Sequence, residues 1–189
     1  MNDRVTVLHG VNFDVLGRRP AALYGGLTLE ALEVQIKRYA DELDLAVTFS
    51  QTNHEGEYCE ALHNATGAGL ILNPGAWTHY SWAIRDALEV AGLPAVEVHL
   101  SAVNEREEWR RVSVIRDLCV GTVAGKGPEG YRDALEVADL PAVEVHLSAV
   151  DEREEWRRVS VIRDLCLGTV AGKGPDGYRE ALELLKESL

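Results

Sequence analysis

Two residues apart in the run AVEVHL stand a carboxylate and an imidazole, Glu97 and His99. On an extended strand such neighbours share a face, so the carboxylate can orient the ring and hold its proton, as a general acid or base requires. A lone His inside an apolar strand is more often a satisfied core residue, so the pair gains meaning from its surroundings. Polar groups gather after other apolar runs as well. HGVNFDVLGRRPAALYGG brings Asn12, Arg18, Arg19 and Tyr24; LNPGAWTHYS brings Asn73 and His79; EVHLSAVNEREEWRRVS adds Ser101, Arg106 and Arg110. Each has a plainer reading. Arg106, Arg110 and Arg111, interleaved with Glu105, Glu107 and Glu108, look like a solvated helix face, Tyr24 could anchor its loop by packing, and nothing places His9, His54 or His63 with the rest. The convergence is stronger than any single member.

The elements that must position these residues alternate. VTVLHG (5–10) is a short apolar run ended by Gly, and TLEALEVQIKRYADEL (28–43) has helical spacing behind a Thr able to cap it. AVTFSQ, GEYCEALHNA, GLILNPG, SWAIRDALEVAG, AVEVHL, EEWRRVS, GTVAG and GPEGYRDALEVA continue the pattern, the strands apolar on both faces as buried parallel strands are. This predicts an α/β fold, a doubly wound sheet of five parallel strands. Ligands in such folds sit outside the carboxyl ends of the strands, where the polar groups collect. The segment after the first strand is too long and too punctuated by Gly and Pro for a tight turn, and reads as a lid.

Composition narrows the function classes. The formal net charge of −12 disfavours a nucleic-acid partner, yet two or three local arginines could still hold a small anion. No apolar run approaches the roughly 18 residues of a membrane span, and the opening MNDRVTVLHG has no signal-peptide pattern, so a cytoplasmic location is expected. Cys59, Cys119 and Cys166 form an odd set without CxxC spacing and read as small buried hydrophobes. A nucleotide-binding or phosphoacceptor domain of similar fold is disfavoured by the lack of a GxGxxG, a P-loop or an acidic Mg²⁺ cluster.

The chain also repeats itself. At an offset of 47, residues 85–131 match 132–178 with only four differences, Gly92/Asp139, Asn104/Asp151, Val120/Leu167 and Glu129/Asp176. Solenoids need about three units, and here a unique segment precedes only two copies. Removing one copy leaves 142 residues, a comfortable single domain. The expected organisation is a domain over 1–131, running to about 138, with a second copy of a C-terminal β-α-β-α segment over 132–189, appended or swapped.

GVNFDVLGRRPAALYGG resembles the signature of type II 3-dehydroquinate dehydratase, G-P-N-L-N-x-L-G-x-R-x-P-x-x-Y-G, and the other two site segments resemble that family's in order and spacing. The resemblance spans the chain except the extra copy. Val11 replaces the usual Pro, Phe13 the Leu and Asp14 the second Asn, and Pro20 follows Arg19 directly; Asn12, Arg19 and Tyr24 stay in register. The resemblance implies a flavodoxin-like domain and dehydration of 3-dehydroquinate to 3-dehydroshikimate, in the shikimate pathway of aromatic amino-acid biosynthesis, by anti elimination through an enolate, without metal, cofactor or Schiff base. It implies that Tyr24 is the base, its phenolate favoured by Arg19, and that Asn12 stabilises the enolate through a water. His99, oriented by Glu97, would protonate the leaving hydroxyl. Asn73, His79 and Arg110 would hold ring hydroxyls, and the backbone N–H groups of Leu100 and Ser101 the carboxylate. The family assembles as trimers grouped into a dodecamer, and Asp86 matches the residue that closes a neighbour's site.

Only part of this set is written twice: Glu144, His146, Leu147, Ser148 and Arg157 are alternative donors, whereas Asn12, Arg19, Tyr24, Asn73 and His79 occur once. One complete site per chain is expected, and the first copy is favoured to complete it because that needs no insertion between consecutive elements. The second copy's strands, left as exposed edges, would invite pairing, which points to partial disorder or exchange with another subunit. The competing reading is a folded but inactive scaffold, in which the duplication disrupts the site or the oligomer.

Overall fold

Strand β1 (Arg4–His9) buries Val5 and Val7 on one face and Leu8 on the other, as a strand inside a sheet covered on both faces does. A computed structural model describes residues 4–24, 26–139, 143–146, 168–173, 176 and 180–181. Strands β2 (Ala46–Gln51), β3 (Gly69–Asn73), β4 (Ala95–His99) and β5 (Gly121–Ala124) join β1 in one parallel sheet of order β2-β1-β3-β4-β5. Every residue of β3 and β4 is buried, as expected for strands covered on both faces. This is the flavodoxin-like doubly wound order that the alternation predicts.

After the short α1 (Ala21–Tyr24), helix α2 (Leu29–Glu42) begins where the Thr28 hydroxyl accepts the Ala31 N–H at 3.2 Å. It covers one face of the sheet together with α5 (Glu129–Asp139). Helices α3 (Glu55–His63) and α4 (Trp82–Ala91) cover the other, and Ser81 caps α4 by accepting the Ile84 N–H at 3.0 Å. The words RDALEVA occur in both α4 and α5. In α4 the buried stripe is Ile84, Ala87 and Leu88; in α5 it is Tyr131, Ala134 and Leu135, positions related by the same 47-residue offset, with only the first pair differing in residue type, and turned toward the opposite face of the sheet. A stripe at i, i+3 and i+4 can dock on either face, which is how one helical sequence serves both places.

One expectation fails. The arginine-bearing segment between β4 and β5 is no α-helix but three 3₁₀ turns, Val103–Glu105, Glu108–Arg111 and Arg116–Leu118, with extended backbone at Arg106. From Glu105 to Arg111 the only apolar residue is Trp109, so a helix there would have no apolar stripe to bury. The first copy is therefore a strand, 3₁₀ turns, a strand and a helix, not β-α-β-α.

The chain divides into two compact units, 1–139 and 140–189. The five-stranded sheet belongs wholly to the first, with β4 and β5 taken from the first copy of the repeat. In the second unit, β6 (Val143–His146) and β7 (Gly168–Ala171) pair in parallel. Their register, Val143 to Gly168 and His146 to Ala171, repeats that of Val96 to Gly121 and His99 to Ala124 at the 47-residue offset. Glu144 and His146 lie on β6, while Leu147, Ser148 and Arg157 fall outside the described residues.

Candidate functional site

The loops leaving β1 and β3 are fastened together before any side chain acts. Gly10 donates its N–H to the Asn73 carbonyl at 2.9 Å, and a Cβ on Gly10 would lie 2.2 Å from the Pro74 carbonyl oxygen. Only glycine permits that approach. Two residues on, Asn12 adopts a left-handed backbone with φ 68°, and its N–H donates to Asn53 Oδ1 at 2.8 Å. Asparagine tolerates that conformation better than most residues, and the turn carries its side chain to the cleft.

Pro20 starts α1, its carbonyl accepting the N–H of Leu23 and of Tyr24, and the four-residue helix delivers Tyr24 to the carboxyl edge of the sheet with its ring buried. Its phenolic oxygen accepts from two guanidinium groups, Arg19 Nη2 at 2.5 Å and Arg106 Nη1 at 3.0 Å. The Arg19 guanidinium also lies 3.8 Å from the centre of the tyrosine ring. Burial lowers the Arg19 pKa, with Tyr24 opposing and the positive charges of Arg110 and Arg106 adding to the depression. Three cations crowd this corner of a chain that is acidic overall, an arrangement suited to an anion.

Across the cleft stand Glu97 and His99. His99 Nε2 lies 2.9 Å from Glu97 Oε1, which fixes the second ring nitrogen as the one left for other partners. Glu97 is fully buried, and its carboxylate also accepts from the hydroxyls of Thr78, of Ser113 at 2.9 and 3.0 Å, and of Thr122 at 3.4 Å. Burial pushes the Glu97 carboxyl up, but His99, Thr78 and Ser113 together outweigh it and hold the group below the ordinary carboxylate value. His79 Nδ1 sits 2.6 Å from the Val112 carbonyl, and the His79 ring stacks toward His99 with centroids 6.3 Å apart. Burial lowers the His79 pKa, against the opposing pull of that carbonyl.

These groups line one cleft, open to solvent, at the carboxyl edge of the sheet. It brings together Asn12, Arg19, Tyr24, Asn73, His79, His99, Leu100, Ser101 and Arg110, with Glu97 directly behind His99. Asp86 is not among them; it is exposed on α4. Arg18 is exposed on the 3₁₀ turn Leu16–Arg18 and does not line the cleft. No sequence motif assigns a role to Arg106, or to the hydroxyls of Thr78, Ser113 and Thr122. Thr78 and Ser113 stand inside the singled-out segments THYS and RRVS, so hydroxyls next to candidate ionisable groups were the available signal.

The model of the class II dehydroquinase family matches residues 3–138, and again 132–186. The chain is 46% identical over 128 residues to a 3-dehydroquinate dehydratase of Thermotoga petrophila, covering 68% of this chain and 89% of that protein. With one from Bacillus pumilus it shares 46% identity over 127 residues, 66% of this chain and 86% of the relative. Among solved structures, the type II dehydroquinase from Butyrivibrio crossotus is 41% identical with a TM-score of 0.67, over 72% of this chain and 97% of that one. The one from Propionibacterium acnes is 39% identical with a TM-score of 0.68, over 72% and 95%. On these matches, the chain belongs to the class II dehydroquinase family.

Proposed function

We propose that this chain dehydrates 3-dehydroquinate to 3-dehydroshikimate, with the cleft of the first unit as its active site. The observation that carries the reading is a phenolic oxygen accepting from two guanidinium groups, in the same cleft as an imidazole backed by a buried carboxylate. The reaction removes a proton beside a ketone and a hydroxyl from the next carbon. Tyr24, as phenolate, takes the C2 proton; Arg19 and Arg106 stabilise negative charge on its oxygen whenever the proton is absent. Charge then moves to the carbonyl oxygen as an enolate, met by Asn12 through a water. His99 gives a proton to the C1 hydroxyl, which leaves as water, and Glu97 stabilises the imidazolium that supplies it. Asn73, His79 and Arg110 hold the ring hydroxyls, and the backbone at Leu100 and Ser101 holds the carboxylate.

The extra segment is read as an internal duplication, since the family model matches a second time over its length and β6–β7 repeats the β4–β5 register. A homo-oligomer of trimers, with Asp86 reaching a neighbour's cleft, is supported by the exposed stripe Trp82, Asp86 and Val90 on α4, where Trp82 and Val90 are 64% and 72% exposed. The reading carries a cytoplasmic location; among the described residues no helix is long and apolar enough to cross a membrane. The test is the rise in ultraviolet absorbance of the conjugated product on adding 3-dehydroquinate. Steady turnover is expected, and a folded chain that produces none would leave the inactive-scaffold reading in its place.

A further inference from the structure

The mechanism leaves unused a buried histidine beside one of the substrate groups. His9 and Asn73 are partners in the register of β1 and β3, and both are buried. Tyr131, fully buried on α5, bridges them: Asn73 Nδ2 donates to the Tyr131 hydroxyl at 3.0 Å, and that hydroxyl lies 3.3 Å from His9 Nδ1. The His9 ring stacks with Phe13 and with Phe49, at centroid distances of 5.0 and 6.3 Å. We propose that His9 and Tyr131 are positioning residues for Asn73, fixing which end of its carboxamide faces the cleft and so presenting Oδ1 as an acceptor for a substrate hydroxyl.

The direction of the chain of hydrogen bonds follows from its far end. His9 Nε2 is buried without a hydrogen-bond partner among the described residues, and the Glu33 carboxylate lies 3.9 Å from it. A bare nitrogen lone pair facing a carboxylate is repelled, whereas an N–H facing it is attracted, so the proton sits on Nε2. Burial lowers the His9 pKa to about 3, which keeps the ring neutral and leaves Nδ1 an acceptor. The Tyr131 hydroxyl has one proton and gives it to Nδ1. It must then accept from Asn73, which turns the amide nitrogen inward and the oxygen outward. The opposite tautomer would reverse every bond and show the substrate an NH₂ group.

The inference rests on the assignment of Asn73 to the substrate, and the experiment separates the two. Loss of one positioned neutral hydrogen bond corresponds to about tenfold in affinity, so Tyr131→Phe should raise KM by that factor with little change in kcat. In the Asn73→Ala background the same change should do nothing further. His9→Asn, which places an oxygen where Nδ1 stood, should keep the parent KM, and His9→Leu should match Tyr131→Phe. Effects that multiply in the double variant would overturn the proposal, since they would mean Tyr131 acts on packing alone. Nitrogen NMR of the full chain labelled at the imidazole reads the ring without turnover and without any variant. A neutral Nε2–H tautomer of His9 at pH 7 supports the proposal, and an Nδ1–H or charged ring overturns it, whatever becomes of the dehydratase reading.

Discussion

Glu97→Gln keeps the shape of a buried side chain and removes only its charge. In the proposed mechanism that charge matters while His99 carries the proton destined for the leaving hydroxyl. Two unit charges at the observed 2.9 Å interact by about 6 kcal/mol at an effective protein dielectric near 20. The glutamine retains a neutral hydrogen bond worth about 1 kcal/mol, and water in the open cleft screens part of the remainder. A net loss of about 3–4 kcal/mol in the protonated state is expected, or two to three decades of kcat at 1.4 kcal/mol per decade. The hydroxyls of Thr78, Ser113 and Thr122 can rotate to meet an amide, so the fold should survive. The assay is initial-rate turnover of 3-dehydroquinate alongside thermal unfolding of both chains. A folded Glu97→Gln chain within threefold of the parent kcat would refute the claim that this carboxylate supports the acid.

Tyr24→Phe leaves the ring and removes the base, so kcat should fall by about 10²–10⁴ while the melting temperature stays near that of the parent; normal turnover would remove Tyr24 from its role. Gly10→Ala would drive a methyl group to 2.2 Å from the Pro74 carbonyl, and because backbone yields little it should destabilise by about 3 kcal/mol, the upper end for overpacking, read as a lower urea midpoint. His9 predicts an acid-side weakness. Its folded pKa is about 3 against 6.5 in the unfolded chain, so the unfolded state binds the extra proton between those values. The stabilisation is whole above pH 6.5 and shrinks as pH falls toward 3, by about 1.4 kcal/mol per pH unit; burial of His79 adds a slope of the same sign. Urea unfolding between pH 7 and pH 5 should show this slope, and His9→Leu should flatten it.

Much of this was legible because parallel strands announce themselves. Runs such as GLILN and AVEVH are buried at every position, and period and length separate them from the helices around them. The Glu97–His99 pair was readable because a strand places alternate residues on one face. The segment from Glu105 to Arg111 misled because its charges suit a solvated helix face, while the missing apolar stripe that prevents a helix is an absence easily passed over. Arg106 illustrates a different limit: its guanidinium reaches Tyr24 across 82 positions of sequence, and no local pattern reports such a contact. His9 stayed unassigned for the same reason, since its partner Tyr131 lies 122 residues away.

The most direct test of the account is turnover of 3-dehydroquinate by the parent chain, His99→Ala, His146→Ala and the double variant, each checked for folding. With β4 supplying His99 to the cleft of the first unit, His99→Ala should abolish turnover and His146→Ala should leave the parent rate. Loss of turnover in His146→Ala with a normal rate in His99→Ala would contradict the account, because the second copy would then be completing the site.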